Sequence, residues 1–217
     1  MKIYPAILTD SFVTAQEQLS SAAQADGIET VHIDVIDGNF VDNITLTPLD
    51  LTVAEFGELT IDFHLMTDEP MDFVYEAAGI KEYLPIRQMI GQVEHMSFQL
   101  QFVEEVKKNG WQAGLALNLF TPIEEVEEEV WSQIDTLLLL GVEAGAQHQE
   151  FQPHVLSKIK ELAERDELKC QVVIDGGVKL ENIAQLVDAG VKEFAIGSQI
   201  WDASDPVAMI QELLHKA

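Results

Sequence analysis

A chain of 217 residues, 47% hydrophobic, with one cysteine and a formal net charge of −26, is long enough to bury one large core. Cys170 has no partner in the chain, which excludes an internal disulfide framework. The acidity excludes a nucleic-acid partner, which needs clustered Lys and Arg, and disfavours long-range steering of an anionic ligand. No apolar run approaches the length of a membrane span, and the start Met1-Lys2-Ile3-Tyr4-Pro5 leads into no secretory signal. One cytoplasmic domain over 1–217 is expected.

The first predicted strand, 3–8, precedes an amphipathic helix over 12–25. Strands follow at 30–35, 59–65 and 88–92, and then a helix over 98–109. Asn109-Gly110 stops that helix just before a fifth strand at 112–117. Glu124-Glu125-Val126-Glu127-Glu128-Glu129 reads as the solvated face of an acidic helix. The sixth, seventh and eighth strands fall at 136–141, 171–175 and 193–196, with helices over 153–165, 180–189 and 206–215. Ala189-Gly190 is a second helix stop. Such alternation predicts a parallel sheet with right-handed crossovers. Eight strands in this length select a single (β/α)₈ TIM barrel. The rival is a doubly wound sheet, whose Gly-x-Gly-x-x-Gly turn is missing after the first strand.

A barrel of this type carries its site at the C-terminal ends of its strands, so polar residues there are candidates. His32 and Asp34 are two residues apart on a strand and project to the same face, in a stretch that otherwise reads as buried. The third strand ends in His64 and the seventh in Asp175. A lone strand-end histidine is more often a hydrogen-bonded structural residue than a ligand. Two imidazoles and two carboxylates converging on one rim instead suit Zn²⁺, Fe²⁺, Mn²⁺ or Co²⁺. Asp37, followed by Gly38, is expected to order its loop through an Asx-type hydrogen bond. Gly176-Gly177 and Gly197-Ser198 fall where such barrels grip phosphate with backbone N–H groups, although plain turn glycines would also explain them.

These residues carry a resemblance to the ribulose-phosphate 3-epimerases. His32-Ile33-Asp34-Val35-Ile36-Asp37-Gly38-Asn39-Phe40-Val41 resembles the signature of that family, as does Asp62-Phe63-His64-Leu65-Met66 followed by Pro70. Gly114-Leu115-Ala116-Leu117-Asn118 with Thr121-Pro122, Val173-Ile174-Asp175-Gly176-Gly177-Val178 and Ala195-Ile196-Gly197-Ser198 are similar to its later strand ends. The resemblance implies one divalent metal ion per chain, held by His32, Asp34, His64 and Asp175. It also implies substrate contacts from His64, Met66, Gly145, Ala146, Gln147, His148, Gly176, Gly177, Gly197 and Ser198. Epimerisation beside a ketone takes a proton from one face and returns one to the other, for which two acid–base groups are the economical arrangement. By resemblance these are Asp34 and Asp175, acting through a metal-stabilised enediolate. Met66, Ile36 and Leu140 would wall that enediolate from water, though core packing explains them equally well.

The chain departs from the family pattern in places. After the sixth strand the family usually has a proline and then Gly-Phe-Gly-Gly-Gln. Here the loop runs Ala144-Gly145-Ala146-Gln147-His148-Gln149. Ala6 replaces a usual serine, and Gln92 and Asn39 replace usual histidines. The leading expectation is interconversion of D-ribulose 5-phosphate and D-xylulose 5-phosphate. The alternatives are a 3-epimerase for another ketose phosphate, such as a six-carbon one, and a catalytically silent barrel that binds a phosphorylated metabolite. A homo-oligomer is the default for enzymes of this kind, and the resemblance adds dimers or hexamers as options.

Overall fold

Eight strands pair in chain order and close on themselves into a parallel barrel in the computed structural model, which describes residues 1–165 and 168–216. The strands are β1 (Lys2–Ile7), β2 (Thr30–Ile36), β3 (Thr60–Met66), β4 (Ile86–Gln92), β5 (Gln112–Leu117), β6 (Thr136–Leu140), β7 (Gln171–Asp175) and β8 (Glu193–Ile196). The helices around them are α1 (Phe12–Ala23), α2 (Pro70–Gly79), α3 (Gln99–Lys108), α4 (Val155–Ala163), α5 (Ile183–Asp188), α6 (Ser198–Trp201) and α7 (Pro206–Lys216). The predicted strands hold to within two residues at each end. The helices read from the sequence come out shorter at one or both ends, except the last, which runs one residue further than expected. Gly110 and Gly190 take φ of +88° and +99°, the left-handed conformation that lets a helix stop and the chain turn into the next strand. No helix among the described residues is long and apolar enough to cross a membrane.

Two crossovers differ from the sequence reading. The acidic run is not an α-helix but two 3₁₀ turns, Ile123–Glu125 and Glu128–Val130. Ile123, Val126 and Val130 are buried while the glutamates between them face solvent. Five carboxylates at helical neighbour spacings would repel one another along an α-helix. α2 was not foreseen, although Pro70 at its first turn and the buried Val74 and Ala77 mark it. The β2–β3 crossover carries only a 3₁₀ helix, Leu49–Val53.

Side chains alternate along each strand between the barrel interior and the surrounding helices. The outward set, including Ile7, Val31, Phe63, Leu115 and Phe194, joins Leu19 and Phe102 of the helices in one large core. Inside, Tyr4, Ala6, Ile90, Ala116, Leu138, Leu140, Val173 and Ala195 form a small apolar plug. Polar groups occupy both ends of that plug. At the N-terminal end the Tyr4 hydroxyl donates to Glu193 Oε2 (2.7 Å) and Gln88 Nε2 donates to Thr136 Oγ1 (2.6 Å). The Arg87 guanidinium there grips buried Asp62 through two nitrogens. At the C-terminal end lie the candidate ligands.

Candidate active site

β2 and β3 pair in register with His32 opposite Asp62 and Asp34 opposite His64. The same-face pair on β2 is thereby set beside the end of β3. β7 brings Asp175 from across the barrel. The four side chains offer ligand atoms that all lie within 4.8 Å of one another, and all four residues are buried. His64 Nδ1 is 2.9 Å from Asp34 Oδ1 and 3.5 Å from Asp175 Oδ2. His32 Nε2 is 3.4 Å from Asp34 Oδ1 and 3.8 Å from Asp175 Oδ2.

The electrostatics suit a cation at their centre. Burial alone would keep the Asp34 carboxyl protonated, but the adjoining imidazoles of His32 and His64 overcome it and hold its pKa well below the usual range. Burial would likewise discharge His64, yet hydrogen bonds to Asp175 and Asp34 outweigh it and push its pKa up to about 9. His32 Nε2 is buried without a hydrogen-bond partner, and an orphaned buried ring nitrogen is costly unless something binds it. Two carboxylates and two imidazoles with one such nitrogen pointing between them are a donor set that fits a divalent metal ion.

Neighbours fix how these side chains point. Gln92, in the orientation that satisfies all its neighbours, accepts from His64 Nε2 at 3.1 Å. Its amide nitrogen then donates to Ala116 O (3.1 Å) and Glu94 Oε2 (2.8 Å). His64 therefore keeps its proton on Nε2 and turns Nδ1 toward the carboxylates. Thr45 Oγ1 donates to Asp34 O (2.7 Å) and accepts from Ile36 N (2.8 Å), pinning the end of β2. Reading the sequence missed the parts played by Gln92 and Thr45. Gln92 was visible only as a glutamine where the family usually has histidine, and Thr45 carried no signal. Asp37 has the expected structural place. Its Oδ1 accepts from Asn39 N (2.9 Å) and Phe40 N (3.0 Å), and its Oδ2 accepts from Asp68 N (2.9 Å).

Above the cluster one cavity collects most of the residues singled out from the sequence. Asp34, Met66, Leu140, Gly145, Ala146, Gln147, His148, Asp175, Gly176, Gly177, Gly197 and Ser198 all line it, with Glu143 at the rim and no lysine or arginine. His32 and His64 lie beneath, outside the lining. Ile36 is fully buried and does not line it either, so the expected apolar wall reduces to Met66 and Leu140. Gly177 sits at φ +70°, and a Cβ there would fall 2.6 Å from the Phe151 Cα, so only glycine fits. In the sixth loop His148 is the one described non-glycine residue at positive φ, +64°.

The profile of the family described as "Ribulose-phosphate 3 epimerase family" matches residues 2–201. The chain is 34% identical over 221 residues to the ribulose-phosphate 3-epimerase of Escherichia coli, covering 97% of this chain and 93% of that one. It is 32% identical over 220 residues to the enzyme of that name from Bacillus subtilis, with 98% of each covered. Among solved structures, 3-hexulose-6-phosphate synthase from Salmonella typhimurium superposes with a TM-score of 0.72 at 13% identity, over 100% of this chain and 98% of that one. That likeness speaks for the barrel alone. A barrel with this ligand cluster, matched along nearly its whole length by these relatives, belongs to the ribulose-phosphate 3-epimerase family.

Proposed function

We infer that this chain is a metal-dependent sugar-phosphate 3-epimerase that interconverts D-ribulose 5-phosphate and D-xylulose 5-phosphate. One observation carries the reading. Asp34 and Asp175, from strands three places apart around one side of the barrel and five around the other, both open into the same cavity beside two buried imidazoles. A ketose lying between them presents opposite faces of its C3 to the two carboxylates. One aspartate takes the C3 proton and the other, protonated, returns one to the opposite face; the roles exchange in the reverse direction. His32, Asp34, His64 and Asp175 would hold the divalent ion, which supplies charge stabilisation to the ketone oxygen as the enediolate forms.

Met66 and Leu140 cover the reacting carbons and keep water from the enediolate. His64, held by Gln92, keeps the ligand set oriented. At the far end, Gly176, Gly177, Gly197 and Ser198 offer backbone N–H groups and a hydroxyl to the phosphate, with Gly145, Ala146, Gln147 and His148 closing the same side. Uncharged donors of this kind accept an anion without a cation nearby, which reconciles a phosphate site with an acidic protein. Steady-state kinetics on a panel of ketose phosphates tests the reading, with D-ribulose 5-phosphate turned over most efficiently. Negligible turnover of that sugar, with high turnover of a six-carbon ketose phosphate, would move the assignment to another sugar of the same chemistry.

A further inference from the structure

The sixth loop is built to hold Gln147 over the cradle. On one side Asn43 Nδ2 donates to Gly145 O (2.8 Å). Gly145 also approaches Val41 so closely that a Cβ there would lie 2.7 Å from its Cγ2. Gln149 Nε2 closes the loop on itself by donating to Glu143 O (2.7 Å) and Ala146 O (2.9 Å). On the other side His148 pairs through Nε2 with Asp202 at 3.0 Å. Its backbone is left-handed, where the resemblance has glycine, a conformation disfavoured for a residue with a side chain.

Between these anchors the half-buried Gln147 carboxamide has no hydrogen-bond partner among the described residues. It lies across Gly197, with Nε2 3.2 Å from where a Cβ would stand, beside Ala6 O at 3.3 Å from the same point. Gly176, Gly177, Gly197 and Ser198 line the same cavity. We propose that the Gln147 side chain is a phosphate donor, its carboxamide N–H donating to the terminal phosphate of the substrate in the cradle formed by Gly177, Gly197 and Ser198. This rests on the reading of the site as a sugar-phosphate site. The side-chain amide replaces a donor that a glycine-rich loop would supply from its backbone, and His148 with Asp202 positions it.

Inorganic phosphate is the probe, titrated calorimetrically into the metal-loaded enzyme and used as an inhibitor of ketose phosphate turnover. Q147A should weaken phosphate about tenfold or more, the weight of one hydrogen bond to a charged group. Q147E, equal in size but an acceptor bearing charge, should weaken it further. A Q147A variant that binds phosphate as tightly as the parent, or more tightly, overturns the proposal and makes the side chain a plug. A Q147E variant that binds as tightly as the parent overturns it as well. Loss of phosphate affinity in both variants supports it even if D-ribulose 5-phosphate is not turned over, which would sink only the epimerase assignment. A parent enzyme that binds no phosphate sinks the proposal, while turnover of D-ribulose 5-phosphate decides the epimerase assignment separately.

Discussion

Chelating the metal should make the stability of this protein fall as the pH rises from 6.5 to 9. In the metal-free cluster His64 Nδ1 lies 2.9 Å from Asp34 Oδ1 and 3.5 Å from Asp175 Oδ2, and these partners push its pKa from 6.5 up to about 9. A base whose folded pKa exceeds its unfolded one stabilises fully below the unfolded value and loses that contribution as pH passes the folded one. The difference corresponds to about 3 kcal/mol at most. For a chain of this size that is about 6–12 °C in melting temperature. A divalent ion held by the cluster would take the place of the His64 proton, so the metal-loaded protein should lack this term. Burial holds Lys158 down at about 8. Its folded form sheds a proton before the unfolded form does, which raises stability above pH 8 and opposes the trend, but equally in both forms. The difference between urea unfolding curves of loaded and chelated protein therefore isolates the cluster, and it should widen by about 3 kcal/mol from pH 6 to 9.5. A constant difference across that range would refute the raised pKa of His64 in the chelated protein, and with it the exchange of proton for metal at this ring.

Asp34→Asn or Asp175→Asn should lower turnover about a thousandfold with the circular dichroism spectrum unchanged, since each removes a group proposed to transfer a proton; activity near that of the parent with metal bound would contradict the two-aspartate mechanism. Arg87→Ala should cost about 3–5 kcal/mol in urea unfolding, because it strands buried Asp62 without its counter-charge; a loss under about 1 kcal/mol would mean that water reaches Asp62. Because the net charge is −26 and the cavity lining adds Glu143 but no lysine or arginine, kcat/KM for a ketose phosphate should rise as ionic strength goes from about 10 to about 150 mM. A fall over that range would show that local donors, not the overall field, govern capture.

How much of the site could be read in advance depended on whether its geometry is local. His32 and Asp34 are two residues apart on one strand, and period-2 alternation alone places them on the same face. The Asx bonds of Asp37 span two and three residues, so the Asp-Gly signal sufficed. Gln92 holds His64 across a strand pair, 28 residues away, and nothing near either residue announces it. The N-terminal end of the plug was equally silent, since Asp62 with Arg87 and Tyr4 with Glu193 meet only after the barrel closes. The acidic run misled because its charge pattern resembles a helix surface. The three apolar residues it must bury are instead reached with two short turns.

Sequence by itself determined the alternation of strand and helix, hence the barrel, and the four candidate ligands, hence the class of chemistry. Both follow from short-range periodicity and from residue types too polar to bury without purpose. Only the tertiary structure decided that the four candidate ligands converge within 4.8 Å, that His32 Nε2 is left unpaired among them, and that Gln147 lies over Gly197. Those facts depend on strand register and loop anchoring between segments far apart in the chain, where loop closure and packing, not local propensity, set the distances.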